Sequence, residues 1–348
     1  MNTRDKHRLG STEELPGDYR AALTQAQLVP LWPHMRDALP YDAPRTATAP
    51  TLWPWSAVRP LLLRAGELTP MDKAERRVLV LANPGRGLEK LQATGAMFLG
   101  MQLVLPGEVA PNHRHTPNAV RIVIEGHGGY TMVEGTRCPM EHGDLVLTPS
   151  GLWHEHHHPG SGPLIWLDVL DLPLVLGLDA SYAIAGSPQG APVQSGCYER
   201  SGLVPLADGA RSRPSYPVLR YEWRRTREAL EALAATVDRG RPVQIAYVNP
   251  ETGADCLNTL AFSAWMLRPG EEIALKRMSP ARVFHVAEGD GQVELNGTVF
   301  GLSRSDTCCA PGLAKIRIAN RSSREPLYLI GADESPVFRK LGLFEERA

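Results

Sequence analysis

The stretch "PNHRHTPNAVRIVIEGHG", residues Pro111 to Gly128, decides how this chain is read. His113 and His115 stand one residue apart in what otherwise reads as a strand and a turn. Residues two apart on a strand project from the same face, so both imidazoles can point into one cavity. An isolated His-x-His is most often incidental, and the pair alone decides nothing. Its surroundings do.

Working outward, Gly107 is followed after five residues by His113. Gly143 is followed after five residues by Pro149, then Gly151, then His154 after two more. His154 sits at the end of a later strand that could lie beside the first. Three imidazoles on one side of an ion, with the other side open, form a catalytic geometry rather than a closed structural one. The tract "HEHHH" (154–158) offers several candidates for the third ligand. Spacing from Pro149 and Gly151 selects His154, puts His156 on the same face in the pocket, and sends His157 and His158 to solvent. His127 and His142 flank turn glycines and read as surface residues.

The chain has 348 residues, formal net charge −1, 43% apolar and 22% charged residues. That balance fits an ordinary globular protein and gives no basic or acidic bias toward nucleic acid or a membrane surface. No run of 18 apolar residues exists, and the polar N-terminus lacks a signal-peptide core. Five cysteines, an odd count in a long chain, argue against a disulfide framework and for a reducing cytoplasm. Thirty-two glycines and 30 prolines favour many short strands joined by turns. A Gly-x-Gly in "NPGRGLEK" lacks the third glycine and the following helix of a dinucleotide fingerprint.

The fold class expected is mainly β. Residues 1–75 read as a helical and irregular segment, with prolines breaking any long element after Arg45. Residues 76–178 read as an antiparallel barrel or jelly roll. A linker with a basic-faced helix spans 179–243, and a second β domain spans 244–348. The two β runs are alike: "LVLPGEVAPNHRH" parallels "WMLRPGEEIALKRM", and "HGDLVLTPSGLWH" parallels "RSDTCCAPGLAKI", roughly 163 residues apart. Such a repeat implies a duplicated domain. Lys276, Met278 and Ile316 stand where His113, His115 and His154 would be, so one metal per chain is expected. His285 is alone in the second copy and reads as structural.

The pattern G(x)5HxH followed by G(x)5PxGxxH resembles the two cupin motifs. Cupins usually carry a glutamate ligand soon after HxH. "HTPNAVR" supplies none, and Glu125 lies too far along. HxHTPNAVR, with "ERRVLVLANP" upstream and "WLDVLDLP" downstream, resembles the gentisate/salicylate 1,2-dioxygenase family, 5-nitrosalicylate-cleaving members included. The resemblance runs from about Arg76 to Val175 and more loosely through the second repeat. It implies a bicupin fold, ferrous iron, O2, an ortho-hydroxybenzoate cleaved between its carboxyl- and hydroxyl-bearing ring carbons, and a homotetramer.

A neutral three-histidine set leaves the full 2+ charge on an ion, which an anionic bidentate substrate can offset. Arginine suits carboxylate capture because its planar fork bonds both oxygens. Arg121 is the first candidate and Arg77 the second, at the start of the "ERR" strand. His156 is placed to hydrogen-bond a phenolate, and Asp168 to orient a neighbouring side chain. Phe98, Gly100 and Gln102 alternate and share a face. A glycine at 100 leaves room near the ring, which leans the expectation toward salicylates. Alternatives are another cupin metalloenzyme, such as a decarboxylase, and a non-catalytic cupin binding protein.

Overall fold

The computed structural model describes residues 9–186, 198 and 216–347. The chain divides into two compact units, Met1–Ala47 and Thr48–Ala348. The described part of the first holds α1 (Gly17–Gln25) and α2 (Met35–Ala38) and buries no residue. Among the described residues no helix is long and apolar enough to cross a membrane.

The second unit begins with β1 (Thr51–Trp53), α3 (Trp55–Leu68) and α4 (Met71–Ala74). There follow β2 (Val78–Val80), β3 (Phe98–Val104), β4 (Val109–His115), β5 (Ala119–Glu125), β6 (Tyr130–Val133) and β7 (Thr136–Pro139). β8 (Leu145–Thr148), β9 (His154–His157), β10 (Leu164–Leu170), α5 (Leu172–Gly177) and β11 (Ala183–Ala185) complete this half. The other half runs β12 (Arg220–Tyr221), α6 (Trp223–Ala234), β13 (Val243–Ala246), β14 (Ala261–Leu267), β15 (Glu272–Leu275), β16 (Arg277–Met278) and β17 (Arg282–Glu288). It ends with β18 (Gly291–Leu295), β19 (Thr298–Leu302), β20 (Thr307–Ala310), β21 (Ile316–Ala319), β22 (Leu327–Asp333), α7 (Ser335–Lys340) and β23 (Glu346–Arg347). β3, β5, β10 and α5 each recur 163 residues later as β14, β17, β22 and α7.

Each half builds a barrel from a six-stranded sheet and a smaller one. The large sheets are ordered β12-β8-β5-β10-β3-β2 and β1-β20-β17-β22-β14-β13. Each takes its first strand from the other half. β1 precedes the first barrel but pairs with β20 of the second, Thr51 opposite Cys309. β12 follows the first barrel's strands and closes its edge on β8, Arg220 opposite Val146. The helix after each borrowed strand starts on an aspartate of the sheet it joins. Asp306 accepts the Trp55 N–H (2.7 Å) and Asp144 the Trp223 N–H (2.8 Å). Arg59 of α3 grips Glu125 through two 2.6 Å bonds, and Arg227 of α6 reaches Glu288, the same position one repeat later. The duplication therefore includes β1–α3 and β12–α6, and Glu125 is engaged by α3.

α3 corrects the expectation that prolines break this region. It runs for 14 residues straight through Pro60. Pro60 and Ser56, whose carbonyl loses its N–H partner, are both on the exposed side, where water can serve instead. Leu62 on the opposite side is fully buried and anchors the helix.

Alternation sorts the first large sheet into two faces. Leu99, Met101, Leu103, Val120, Ile122, Leu145, Leu147, Leu167 and Val169 join Phe262, Ala264, Val283, Tyr328 and Ile330 of the second sheet in one core. The opposite faces line the barrel interiors, and here the repeats diverge. The second interior is filled by Trp265, Phe284, Val293, Ile316, Ile318 and Leu329. Gln102, Arg121, Thr131, His154, His156 and Trp166 occupy those strand positions in the first. Burying a large apolar side chain contributes about 1.5–3 kcal/mol, so the second barrel is a sealed core and the first is not.

Candidate metal centre

Ala110 of β4 is fully buried opposite His156, yet three residues on His113 is opposite His154. One strand advances by three while the other advances by two. The extra residue is a β-bulge at Pro111–Asn112, where proline has no ladder N–H to lose. The bulge shifts the inward face from even to odd positions and turns His113 and His115 together into the barrel. His154 arrives from β9 through a tight turn in which Gly151 has φ +77° and donates its N–H to the His115 carbonyl (2.9 Å). One ligand atom from each of His113, His115 and His154 lies within 4.8 Å of the others.

Tautomers follow from what stands behind each ring. His115 Nδ1 is 2.7 Å from the Pro117 carbonyl and His154 Nδ1 is 3.0 Å from the Leu152 carbonyl. A carbonyl only accepts, so Nδ1 carries the hydrogen and Nε2 keeps its lone pair. His154 Nε2 is buried with no hydrogen-bond partner, which suits a metal ligand. His113 Nδ1 lies 3.2 Å from the Pro111 carbonyl and also meets Arg76 Nη2. The guanidinium only donates, so Nδ1 serves one neighbour at a time. Donation to Pro111 is the arrangement that frees Nε2 for a metal, and Arg76 then keeps its own bond to that carbonyl (3.0 Å).

Burial, then the Arg76 charge, pushes the His113 pKa down to about 3, and burial with Arg121 takes His115 to about 4. Burial and Arg121 also hold His154 and His156 well below the usual range. All four rings are neutral at pH 7, as metal ligation requires.

Arg121 on β5 is buried and directly opposite Asp168 on β10, Nε to Oδ1 3.5 Å, and its Nη1 donates to Thr148 Oγ1. Burial lowers the Arg121 pKa to about 10 and lifts Asp168 to about 6, each partly offset by the other's charge. Trp166 Nε1 donates to Asp168 Oδ1 (2.9 Å), and the Trp166 ring lies 5.0 Å from His156. Gln102 is paired with Trp166 across β3–β10 and is buried with Nε2 unpartnered. Gly100 is opposite Asp168, and Phe98 opposite Leu170, on the same face.

Several expected features fall elsewhere. Arg77 does not join this set. Its Nε donates to the Thr69 carbonyl (2.9 Å) and its Nη2 bonds Glu108 in a partly buried ion pair. Val78 pairs with Gln102 and Val80 with Gly100, so the inward phase of β2 selects Arg76, the residue that sequence reasoning missed. Gly100 opens no room either. A Cβ there would fall 2.5 Å from Val78 Cγ1 and 2.8 Å from Phe98 Cε1, so these two side chains already fill the space. His158 is buried, not at solvent, with Nε2 on the Gly162 carbonyl (2.7 Å). His157 is half-buried, stacked on Tyr130 and bonded to Glu155. His142 is half-buried between the barrels, its two nitrogens facing the carbonyls of Ile124 (2.9 Å) and Ala287 (3.1 Å). The described cysteines 138, 256, 308 and 309 are free and buried, and Cys197 lies outside the described residues.

One barrel ready for a metal beside a sealed copy of itself is a bicupin, and the cupin domain family matches residues 100–170. The chain is 55% identical to a gentisate 1,2-dioxygenase of a Ralstonia species, over 98% of this chain and 97% of that one. It is 36% identical to a 5-aminosalicylate 1,2-dioxygenase of a Comamonas species, over 94% and 88%. The fold matches the salicylate 1,2-dioxygenase of Pseudoaminobacter salicylatoxidans in its adduct with gentisate, at TM-score 0.89 and 30% identity, covering 99% and 96%. The chain belongs to the gentisate/salicylate 1,2-dioxygenase family of ring-cleaving enzymes.

Proposed function

We propose that the enzyme uses one ferrous ion, held by His113, His115 and His154, and that gentisate is its preferred substrate, with salicylates slower. The observation that carries this reading is a convergence of buried, unpartnered polar atoms. His154 Nε2, His156 Nε2 and Gln102 Nε2 all lack a hydrogen-bond partner, and Arg121 Nε has only the long ion-pair contact with Asp168. Buried polar atoms are rarely left so unless a ligand completes them. Two guanidiniums, Arg76 and Arg121, against the single carboxylate of Asp168 leave a cationic pocket suited to an aromatic carboxylate. Imidazoles suit iron, and bound ferrous iron would supply the one-electron chemistry that lets O2 react with the ring.

The chain's own residues fix the pose. Arg76 and Arg121 take the carboxylate, and Asp168 holds Arg121 in orientation. His156 Nε2 meets the ring oxygen ortho to it. Gln102 bonds a second polar group, and Phe98 packs against the ring. The preference for gentisate draws on the 55% identical relative and on the loss of the space expected at Gly100. The second hydroxyl of gentisate also donates electron density, which eases attack on the ring. A homotetramer and a cytoplasmic setting belong to the same proposal, the first checked by light scattering.

The test is anaerobic reconstitution with Fe(II), then oxygen uptake with gentisate, salicylate, 5-nitrosalicylate and 1-hydroxy-2-naphthoate. We expect uptake with iron only, fastest with gentisate. Uptake with none of the four would overturn the iron and substrate assignments, and a faster rate with salicylate would overturn the preference.

A further inference from the structure

We infer that Thr131 is a positioning residue that sets the tautomer of His156, so that an Nε2 hydrogen rather than an Nε2 lone pair faces the pocket. Thr131, Met140 and His156 are all fully buried. Thr131 Oγ1 lies 2.8 Å from His156 Nδ1 and 3.3 Å from Met140 Sδ. The hydroxyl has one hydrogen to give. A thioether is a weak acceptor and an imidazole nitrogen a much better one. Donation to Nδ1 makes that nitrogen the acceptor, and the neutral ring then carries its hydrogen on Nε2. In the other arrangement Nδ1–H donates to Oγ1, the hydroxyl turns to Met140, and Nε2 presents a lone pair. An anionic oxygen in the pocket would then meet a lone pair.

The four inward histidines are thus sorted by what stands behind them. His115 and His154 have a backbone carbonyl at Nδ1, which forces the lone pair onto Nε2 and suits a metal ligand, and His113 Nδ1 meets the Pro111 carbonyl together with the Arg76 guanidinium. His156 alone of the four has a hydroxyl there, the group that can reverse the assignment. Its Nε2 has no partner in the protein and is left for a ligand. The second barrel supplies an internal control. Thr131 and His156 are cross-strand partners on β6 and β9, and the same pair on β18 and β21 is Val293 and Ile318. Valine has the shape of threonine without the hydroxyl. The strand does not need that hydroxyl for packing, and where the imidazole is gone the hydroxyl is gone too.

The inference rests on the proposed pocket only in that the oxygen meeting Nε2 is the substrate's ortho oxygen. The test has two arms. The first is equilibrium binding, without oxygen, of gentisate and of 3-hydroxybenzoate, which lacks the ortho oxygen, to Fe(II)-loaded wild type, Thr131→Val and Thr131→Ser. Thr131→Val should weaken gentisate about tenfold and leave 3-hydroxybenzoate within about twofold, with Thr131→Ser close to wild type. Equal losses for both ligands, or none for either, would overturn the role. The second arm is neutron diffraction on deuterium-exchanged wild type. Deuterium on His156 Nε2 supports the assignment, and deuterium on Nδ1 overturns it. If wild type binds no gentisate, the substrate proposal fails while the neutron arm still decides the tautomer.

Discussion

Replacing the Arg121–Asp168 pair by Met and Asn should make the protein more stable while emptying the pocket of its substrate. Both side chains are nearly inaccessible, at 4% and 7% exposure. Burial lifts the Asp168 carboxyl from 3.8 to about 6 even with Arg121 beside it. At 1.36 kcal/mol per unit, that is about 3 kcal/mol carried by the folded state once the carboxylate is charged. A buried ion pair replaced by groups without charge commonly gains about 1–4 kcal/mol, so the Arg121→Met/Asp168→Asn variant should fall in that range. Asparagine keeps an acceptor for Trp166. Asp168→Asn alone should instead lose about 3–5 kcal/mol, because Arg121 is left buried without a counter-charge. The pH dependence has a definite sign. The Asp168 pKa is raised on folding, so between about pH 4 and pH 6 the folded chain binds more protons than the unfolded one. This group's contribution makes wild-type stability decline as pH rises through that window and level off above it. The double variant should lack the decline. Urea denaturation of metal-free protein at pH 4.5, 5.5 and 7 measures both effects, and calorimetric titration measures gentisate binding. A double variant less stable than wild type, with the same pH slope, would refute the reasoning.

His154→Ala should retain no stoichiometric metal after dialysis, measured by elemental analysis, because two partly exposed imidazoles remain. Arg77→Met should destabilise by about 1–3 kcal/mol through the abandoned Glu108 and leave gentisate affinity of the folded protein unchanged. Arg76→Met should do the reverse, losing about tenfold or more in affinity with little change in thermal midpoint. Gly100→Ala should cost about 1–3 kcal/mol from the clash with Val78 and Phe98, and adding Val78→Ala should recover most of it in a thermal melt.

The triad was legible because its ingredients are local. Period-two alternation and turn spacing need only a short window, and the repeat carries no matching histidines, although Leu275 rather than the expected Lys276 faces Ile316 as His113 faces His154, and Lys276 points outward to Glu346. What escaped depended on phase or on distant pairing. Arg76 and Arg77 are adjacent, and only the register of β2 on β3 says which faces inward. Gly100 looked like space because a missing side chain does not reveal that Val78 and Phe98 close over it. Pro60 looked like a breaker because its exposure is a tertiary property. Thr131 looked like any strand threonine, since its partner comes from another strand.

The exchanged strands β1 and β12 bear on the order in which the protein can be made. The catalytic sheet keeps an open edge until Tyr221 has been synthesised, some fifty residues past the last of its other strands, Leu164–Leu170. The segment Thr51–Trp53 waits longer, since its partner Cys309 lies near the end of the chain. Neither large sheet is built from its own half alone. The long separation between partners predicts slow, late folding, and a nascent chain halted after Leu178 would display an uncapped strand to its neighbours. The histidine triad is carried by the first half of the sequence, but its enclosing wall is complete only when most of the protein exists.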